Sequence, residues 1–209
     1  MIEKTDKNKN IIVLSGKKGS GKNTVADMIN NYLLNKQLNK GIPYLPVTDF
    51  FYKEMSFAQP IKDILSIVAR ESVGSLDDNK DILFSSRLNT RLLVDKTPRD
   101  FYKLIADLFK ENIDNNIWVH ILLDEIRHSE NENIIITDMR FKNEFKSLKE
   151  SGYNIIFVRI KRKSKHDPSQ SEVDLDDVPD KDFDYIIDND SDEKSLYNKV
   201  EIFCEKFKL

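Results

Sequence analysis

Residues Ser15 to Thr24 read SGKKGSGKNT, with glycines at 16, 19 and 21 and a lysine at 22. Glycines at that spacing let the backbone curl so that successive N–H groups turn inward, and a helix beginning just after them adds the positive end of its dipole. The product is an anion cradle, and Lys22 is placed to reach the β- and γ-phosphates of a nucleotide. The phosphate-loop pattern asks for Ser or Thr after the lysine; here Asn23 stands there and Thr24 follows one place later. Asn23 offers Mg²⁺ an amide oxygen, a weaker ligand than the usual hydroxyl, and Thr24 remains available for a phosphate contact. A Gly- and Lys-rich turn without a ligand is the plain alternative.

An acid and a base lie together in IIITDMR, where Asp138 ends an apolar run and Arg140 follows. An acid at the carboxyl end of a neighbouring strand can hold Mg²⁺ or its waters, and Arg140 can grip a phosphate. The competing role for Asp138 is a helix N-cap, and for Arg140 a solvated surface position. Phosphoryl transfer needs positive charge around the moving group, because the transition state spreads negative charge over its oxygens. VRIKRKSKH supplies Arg159, Lys161, Arg162, Lys163 and Lys165 where a strand enters a loop, which is lid-like, although a solvated basic face explains any one of them. In TPR, Arg99 can meet a substrate phosphate, while Thr97 and Pro98 are explained by a helix start. The three histidines have no metal spacing, which argues against a zinc site. The guanine signature of GTPases is absent.

These groups need strands and helices to bring them together. NIIVLSG is a buried strand over Ile11–Ser15, and Val25, Ile29, Tyr32 and Leu33 share one face of a helix from Lys22 to about Leu38. FYKEMSFA is a weaker strand; Pro60 opens a helix; residues 72–96 are polar without a firm period. Thr97 caps a helix through TPRDFYKLIADLFKE, IWVHILLDEIRH is another, and NIIITD a second core strand. FKNEFKSLKESG closes on Gly152, YNIIFVRI and FDYIIDN are strands, and a charged loop spans 161–182. The last helix carries Leu196, Val200, Phe203 and Phe207 on one face. Strands alternating with helices predict an α/β fold, a parallel sheet covered on both sides in three layers.

The 209 residues suit a single domain, with a substrate-binding segment at about 50–130 and a lid at about 161–182. A 39% hydrophobic and 33% charged composition is that of a soluble protein, no apolar run can span a bilayer, and the N-terminus lacks a signal-peptide core. The expected compartment is the cytoplasm. Net charge −3 argues against an extended nucleic-acid surface. The lone Cys204 is expected as a small apolar filler.

LSGKKGSGKNTVADMI, SFAQPIKDIL, TPRDFYKLIADLF, NIWVHIL, IIITDMRFKNE, IIFVRIKR, SQSEVDLDD and DYIIDNDSDEKSL occur in the order seen in deoxynucleoside monophosphate kinases of the bacteriophage type. The chain resembles that family over nearly its whole length, which implies a P-loop kinase fold, ATP and Mg²⁺, and phosphorylation of a deoxynucleoside 5′-monophosphate to the diphosphate. The resemblance implies ATP contacts from Gly16, Lys17, Gly19, Ser20, Gly21, Lys22, Asn23 and Thr24, with Asn189 near the adenine. It puts Asp138 and Arg140 near the reacting groups, makes Arg159 and Arg162 the strand-to-lid arginines, and matches Ser171 and Glu172 to a lid signature. Ser56 to Lys62 and Arg99 fall where the monophosphate binds. The family usually has Asp followed by Thr after the loop lysine, so Asn23 lacks the family's acid. Related kinases are often dimers. Two alternatives stay open at this stage: a phosphomevalonate kinase of the animal type, sharing the loop, the acidic turn and the "SE" element, and a nucleotide-binding module that no longer catalyses.

Overall fold

The computed structural model describes residues 9–39, 52–87, 94–163 and 173–209. Its contacts gather into two units, one of the described residues up to Ser56 together with Leu123–Leu209, the other Phe57–Leu122.

The first unit is a five-stranded parallel sheet. Its strands are β1 (Asn10–Ser15), β2 (Lys53–Met55), β3 (Asn133–Met139), β4 (Asn154–Lys161) and β5 (Tyr185–Asp188), in the order β2-β3-β1-β4-β5. β1 lies in the middle, with every residue after Asn10 buried, as its unbroken apolar run requires of a strand covered on both faces. Alternate residues serve opposite faces. Ile12 and Leu14 join Ile135, Val158 and Ile160 in a core closed by helix α1 (Lys22–Asn39) and the C-terminal helix, through Val25, Ile29, Val200 and Phe203. Cys204 is fully buried in that core, and burial pushes its thiol up to about 12, which suits the apolar-filler role. On the other face Phe157 meets Phe145, whose ring stacks on Phe183 at 5.3 Å. Phe145 belongs to a helix over Lys142–Glu150 that ends at Gly152, whose φ of +80° a residue with a Cβ adopts poorly.

The second unit is helical. α2 (Gln59–Ala69), α3 (Val73–Asp78) and α4 (Pro98–Asn112) surround a small core of Leu65, Ala69, Leu76 and Phe84, against which Phe101, Tyr102 and Ile105 pack. Thr97 and Asp100 form a capping box at the start of α4, with Pro98 in its first turn, as the sequence predicts. α5 (Ile117–His128) follows, and the boundary between the units falls within it; α6 is the Lys142–Glu150 helix and α7 the C-terminal Glu193–Phe207. The polar stretch 72–96 departs from expectation: it holds α3, capped by Ser72, and a single helical turn at Phe84–Ser86. Two apolar anchors eight positions apart, Leu76 and Phe84, both fully buried, hold it, and two anchors cannot produce a period. Among the described residues no helix is long and apolar enough to cross a membrane.

Candidate functional site

The loop after β1 takes the shape its glycines require. Gly19 and Gly21 have φ of +74° and +95°. Gly16 lies so close to β4 that a Cβ there would stand 2.5 Å from the Ile160 carbonyl, and one on Gly21 would stand 2.5 Å from Asn189 Nδ2. A side chain is thus kept out at Gly16 by the Ile160 backbone and at Gly21 by the torsion. Lys22, on the first turn of α1, is 7% exposed and donates from Nζ to the carbonyls of Gly16 at 2.6 Å and Lys17 at 3.0 Å. Its ammonium is folded back over the loop. Ser20 is 1% exposed and its Oγ has no hydrogen-bond partner among the described residues. A buried hydroxyl in that position leaves capacity for a ligand oxygen. Asn23 and Thr24 are exposed at the start of α1.

The carboxyl ends of the neighbouring strands supply the rest. Ser15 pairs with Met139 on β3 and with Arg159 on β4. Between Val13 and Ser15 the β1–β3 register shifts, two residues of β1 opposing three of β3. Such an irregularity re-aims side chains next to a site, and it falls at Thr137 and Asp138, leaving Asp138 half-buried one residue before the strand end. Arg140 follows at the turn into α6. Glu144, 6% exposed, accepts from the backbone N–H groups of Arg140 at 2.8 Å and Phe141 at 3.0 Å and so fixes that turn. Sequence reading missed Glu144, although its place three residues after the cap was a visible signal.

A cleft of about 470 Å³ opens over these strand ends; Gly16, Lys17, Arg140, Arg159, Lys161 and Arg162 are among its lining. An acidic segment occupies one wall. Asp176 pairs with Lys17 at 2.8 Å, Asp177 with Lys142 at 2.7 Å, and Asp180 with both Arg159 and Lys161. Arg159 is the hub: its guanidinium donates to the carbonyls of Leu175 and Val178 and lies over the Phe183 ring at 4.0 Å. Its side chain is only 13% exposed and is engaged in holding this segment. Arg162, exposed, donates to the Gly19 carbonyl at 3.3 Å. Asp180 is held below the ordinary carboxylate range by hydrogen bonds from Lys161 and Arg159, and Asp177 by one from Lys142. A depressed carboxylate contributes its stability above the unfolded value and loses it as pH falls through the folded one. The 173–182 segment is thus expected to stay seated at neutral pH and to release below about pH 4. Hydrogen exchange measured down a pH series checks this; release near pH 6 would exclude these aspartates as the clasp.

The structure therefore gathers the loop residues Gly16 to Thr24, Asp138, Arg140, Arg159, Arg162 and Asn189 at the ends of adjacent parallel strands, where α/β sheets bind ligands. Lys62 and Arg99 belong to the helical unit. There Lys62 pairs with Asp77 at 2.7 Å, and Arg99 is held by Asp81 through Nε and Nη2, which keeps its guanidinium well above its ordinary value. Ser171 and Glu172 lie outside the described residues, as do Lys165 and His166.

Comparison with known proteins finds the following similarities. Residues 99–200 match the family model described as deoxynucleotide monophosphate kinase. A protein of Acanthamoeba polyphaga mimivirus named "Putative deoxynucleotide monophosphate kinase" is 25% identical over 91% of this chain and 93% of its own length. The cytidylate kinase of Aquifex aeolicus is 29% identical over 73% of this chain and 75% of its own. Among solved structures, APS kinase of Mycobacterium tuberculosis overlaps 96% of this chain and 98% of its own at 13% identity, with a TM-score of 0.46. With a glycine-rich phosphate loop after the central strand of a parallel sheet flanked by helices, the chain has a P-loop kinase fold, and across residues 99–200 it is similar to the deoxynucleotide monophosphate kinase family.

Proposed function

We propose that this chain transfers the γ-phosphoryl group of ATP to a deoxynucleoside 5′-monophosphate, giving ADP and the diphosphate. The observation that carries the reading is the loop itself: Lys22 is held over carbonyls of a glycine cradle, and the buried Ser20 hydroxyl of the same loop has no partner among the described residues. Similarity to a cytidylate kinase supports a nucleoside monophosphate as acceptor.

In this reading the loop N–H groups and Lys22 bind and orient the triphosphate. Arg140 and Arg162 draw on the same cleft to stabilise charge on the transferring oxygens. Lys62 and Arg99, each poised against a carboxylate, hold the monophosphate. Mg²⁺ characteristically takes one or two protein oxygens and completes its shell with phosphate and water. Asp138 and Asn23 offer that donor set, and the metal supplies neutralisation of phosphate charge when bound. The attacking phosphate oxygen of the monophosphate forms the new P–O bond as the bond to ADP breaks, so no base is needed to remove a proton from an already ionised acceptor.

A panel of monophosphates assayed for ADP release tests this directly; ATP binding without turnover on any of them would exclude the reaction. Asn23 offers a sharper check on the metal. α1 carries no acid in its first turn, and a carboxylate there is favoured by the helix dipole by about 0.3–1 kcal/mol. Asn23→Asp is expected to keep the fold, to retain or raise turnover, and to lower the Mg²⁺ needed for half-maximal rate by roughly tenfold, since a carboxylate is the harder ligand. A large loss of rate would mean that the Asn23 amide has a role no carboxylate can take.

A further inference from the structure

A cradle that turns its N–H groups toward an anion must turn its carbonyls outward, and those carbonyls need donors of their own. Two outward carbonyls of this loop have them: Gly19 from Arg162 Nη1 at 3.3 Å, and Ser20 from Asn189 Nδ2 at 2.8 Å. The second bond is the better one, shorter and fully buried. Asn189 is 7% exposed, and its own N–H donates to the Lys161 carbonyl at 2.7 Å, tying the residue after β5 to the end of β4. Its amide nitrogen lies against Gly21, where a Cβ would come within 2.5 Å of it. The side chain is thus wedged between the last strand pair and the Ser20–Gly21 peptide.

From this we infer that Asn189 is a positioning residue for the phosphate loop and does not read the base of the nucleotide. By anchoring the Ser20 carbonyl it sets the plane of the Ser20–Gly21 peptide, and that plane aims the Gly21 N–H at the ligand. Rotation of the peptide would take a donor out of the cradle and leave a buried carbonyl unpaired, so the brace preorganises the site before phosphate arrives. Glycine at 21 is required by its φ of +95°, and its bare Cα leaves room for the Asn189 amide. The inference rests on the reading that this loop binds a nucleoside triphosphate, and it is independent of which acceptor is phosphorylated.

The test compares binding of ATP, GTP and adenosine to the full chain by calorimetry, in wild type, Asn189→Ala and the isosteric Asn189→Asp, with melting temperatures alongside. Asn189→Asp preserves shape and replaces the donor with an acceptor facing the Ser20 carbonyl, so it remains informative if the alanine variant folds poorly. ATP and GTP are expected to weaken together, by roughly tenfold, with their ratio unchanged, adenosine binding unaltered and the fold intact. Loss confined to ATP, or to ATP and adenosine, would make Asn189 a base contact and overturn the inference. Unchanged affinity for both triphosphates would overturn it as well. Turnover is not required: wild type that binds both triphosphates but phosphorylates no monophosphate removes the proposed reaction and leaves this comparison decisive.

Discussion

Lys22→Ala is expected to lower kcat/KM for phosphoryl transfer by about 10³ while the protein stays folded, because a preorganised charge aimed at developing negative charge typically contributes 10²–10³ in rate. The geometry explains why this lysine differs from Lys17 and Lys18. It is the buried one of the three, on the first turn of α1, with its ammonium held by the Gly16 and Lys17 carbonyls, whereas Lys17 is half-buried and paired with Asp176 and Lys18 is exposed. Removing it leaves those carbonyls short of a donor at a cost of about 1–3 kcal/mol. Lys22→Met, which keeps the aliphatic stem, separates the two effects. Both variants should lose turnover, and the methionine variant should melt closer to wild type. Wild-type rates in either would remove the phosphate loop from the reaction. A collapse of stability with normal rates in the surviving fraction would assign Lys22 to the fold alone.

Much of this site was legible in the residues because its parts are local. A glycine-rich run bounded by a β-branched strand and an amphipathic helix points to a phosphate loop more strongly than to any ordinary turn, and the loop formed where the pattern put it. The Asp138 strand and the Thr97 capping box are equally local signals, each complete within about seven residues. What stayed hidden is carried by pairings between distant positions. Lys17 and Asp176 are 159 positions apart, and Ser20 and Asn189 are 169 apart; no periodicity encodes either. The acids of SEVDLDD and the bases of VRIKRK both stood out as charge runs, yet a run does not say which acid meets which base. Arg159 shows the consequence. As a cation beside a phosphate loop it suggested a ligand contact, and only the chain's return through Leu175, Val178 and Asp180 shows its guanidinium engaged by the protein itself. Asn189 carries the same lesson from the opposite side. The family resemblance suggested a place near adenine, while its amide nitrogen donates to the loop.

Phe84→Ala is expected to destabilise the helical unit by about 3–5 kcal/mol, the range for truncating a buried aromatic side chain. Phe84 is fully buried and among the largest side chains that are; it meets the edge of Phe101 at 5.6 Å, and the Arg87 guanidinium lies 5.2 Å from its ring. The core it belongs to is small, with Leu65, Ala69 and Leu76 as its other buried members among the described residues. A small core has few neighbours able to collapse into a cavity, so the loss should fall toward the upper end of that range. Arg87 also pairs with Glu71, both about nine-tenths buried, and loosening Phe84 exposes that pair to water. Because Lys62 and Arg99, the proposed holders of the monophosphate, are held by Asp77 and Asp81 of the same unit, the variant should bind the monophosphate poorly while the phosphate loop, built on the sheet, still binds ATP. Hydrogen exchange offers the resolving measurement: protection should fall across 57–122 and persist in β1, β3 and β4. Loss of protection throughout would mean that the two units unfold as one cooperative body, and the stability cost would then be shared by the sheet whose strand ends carry the site.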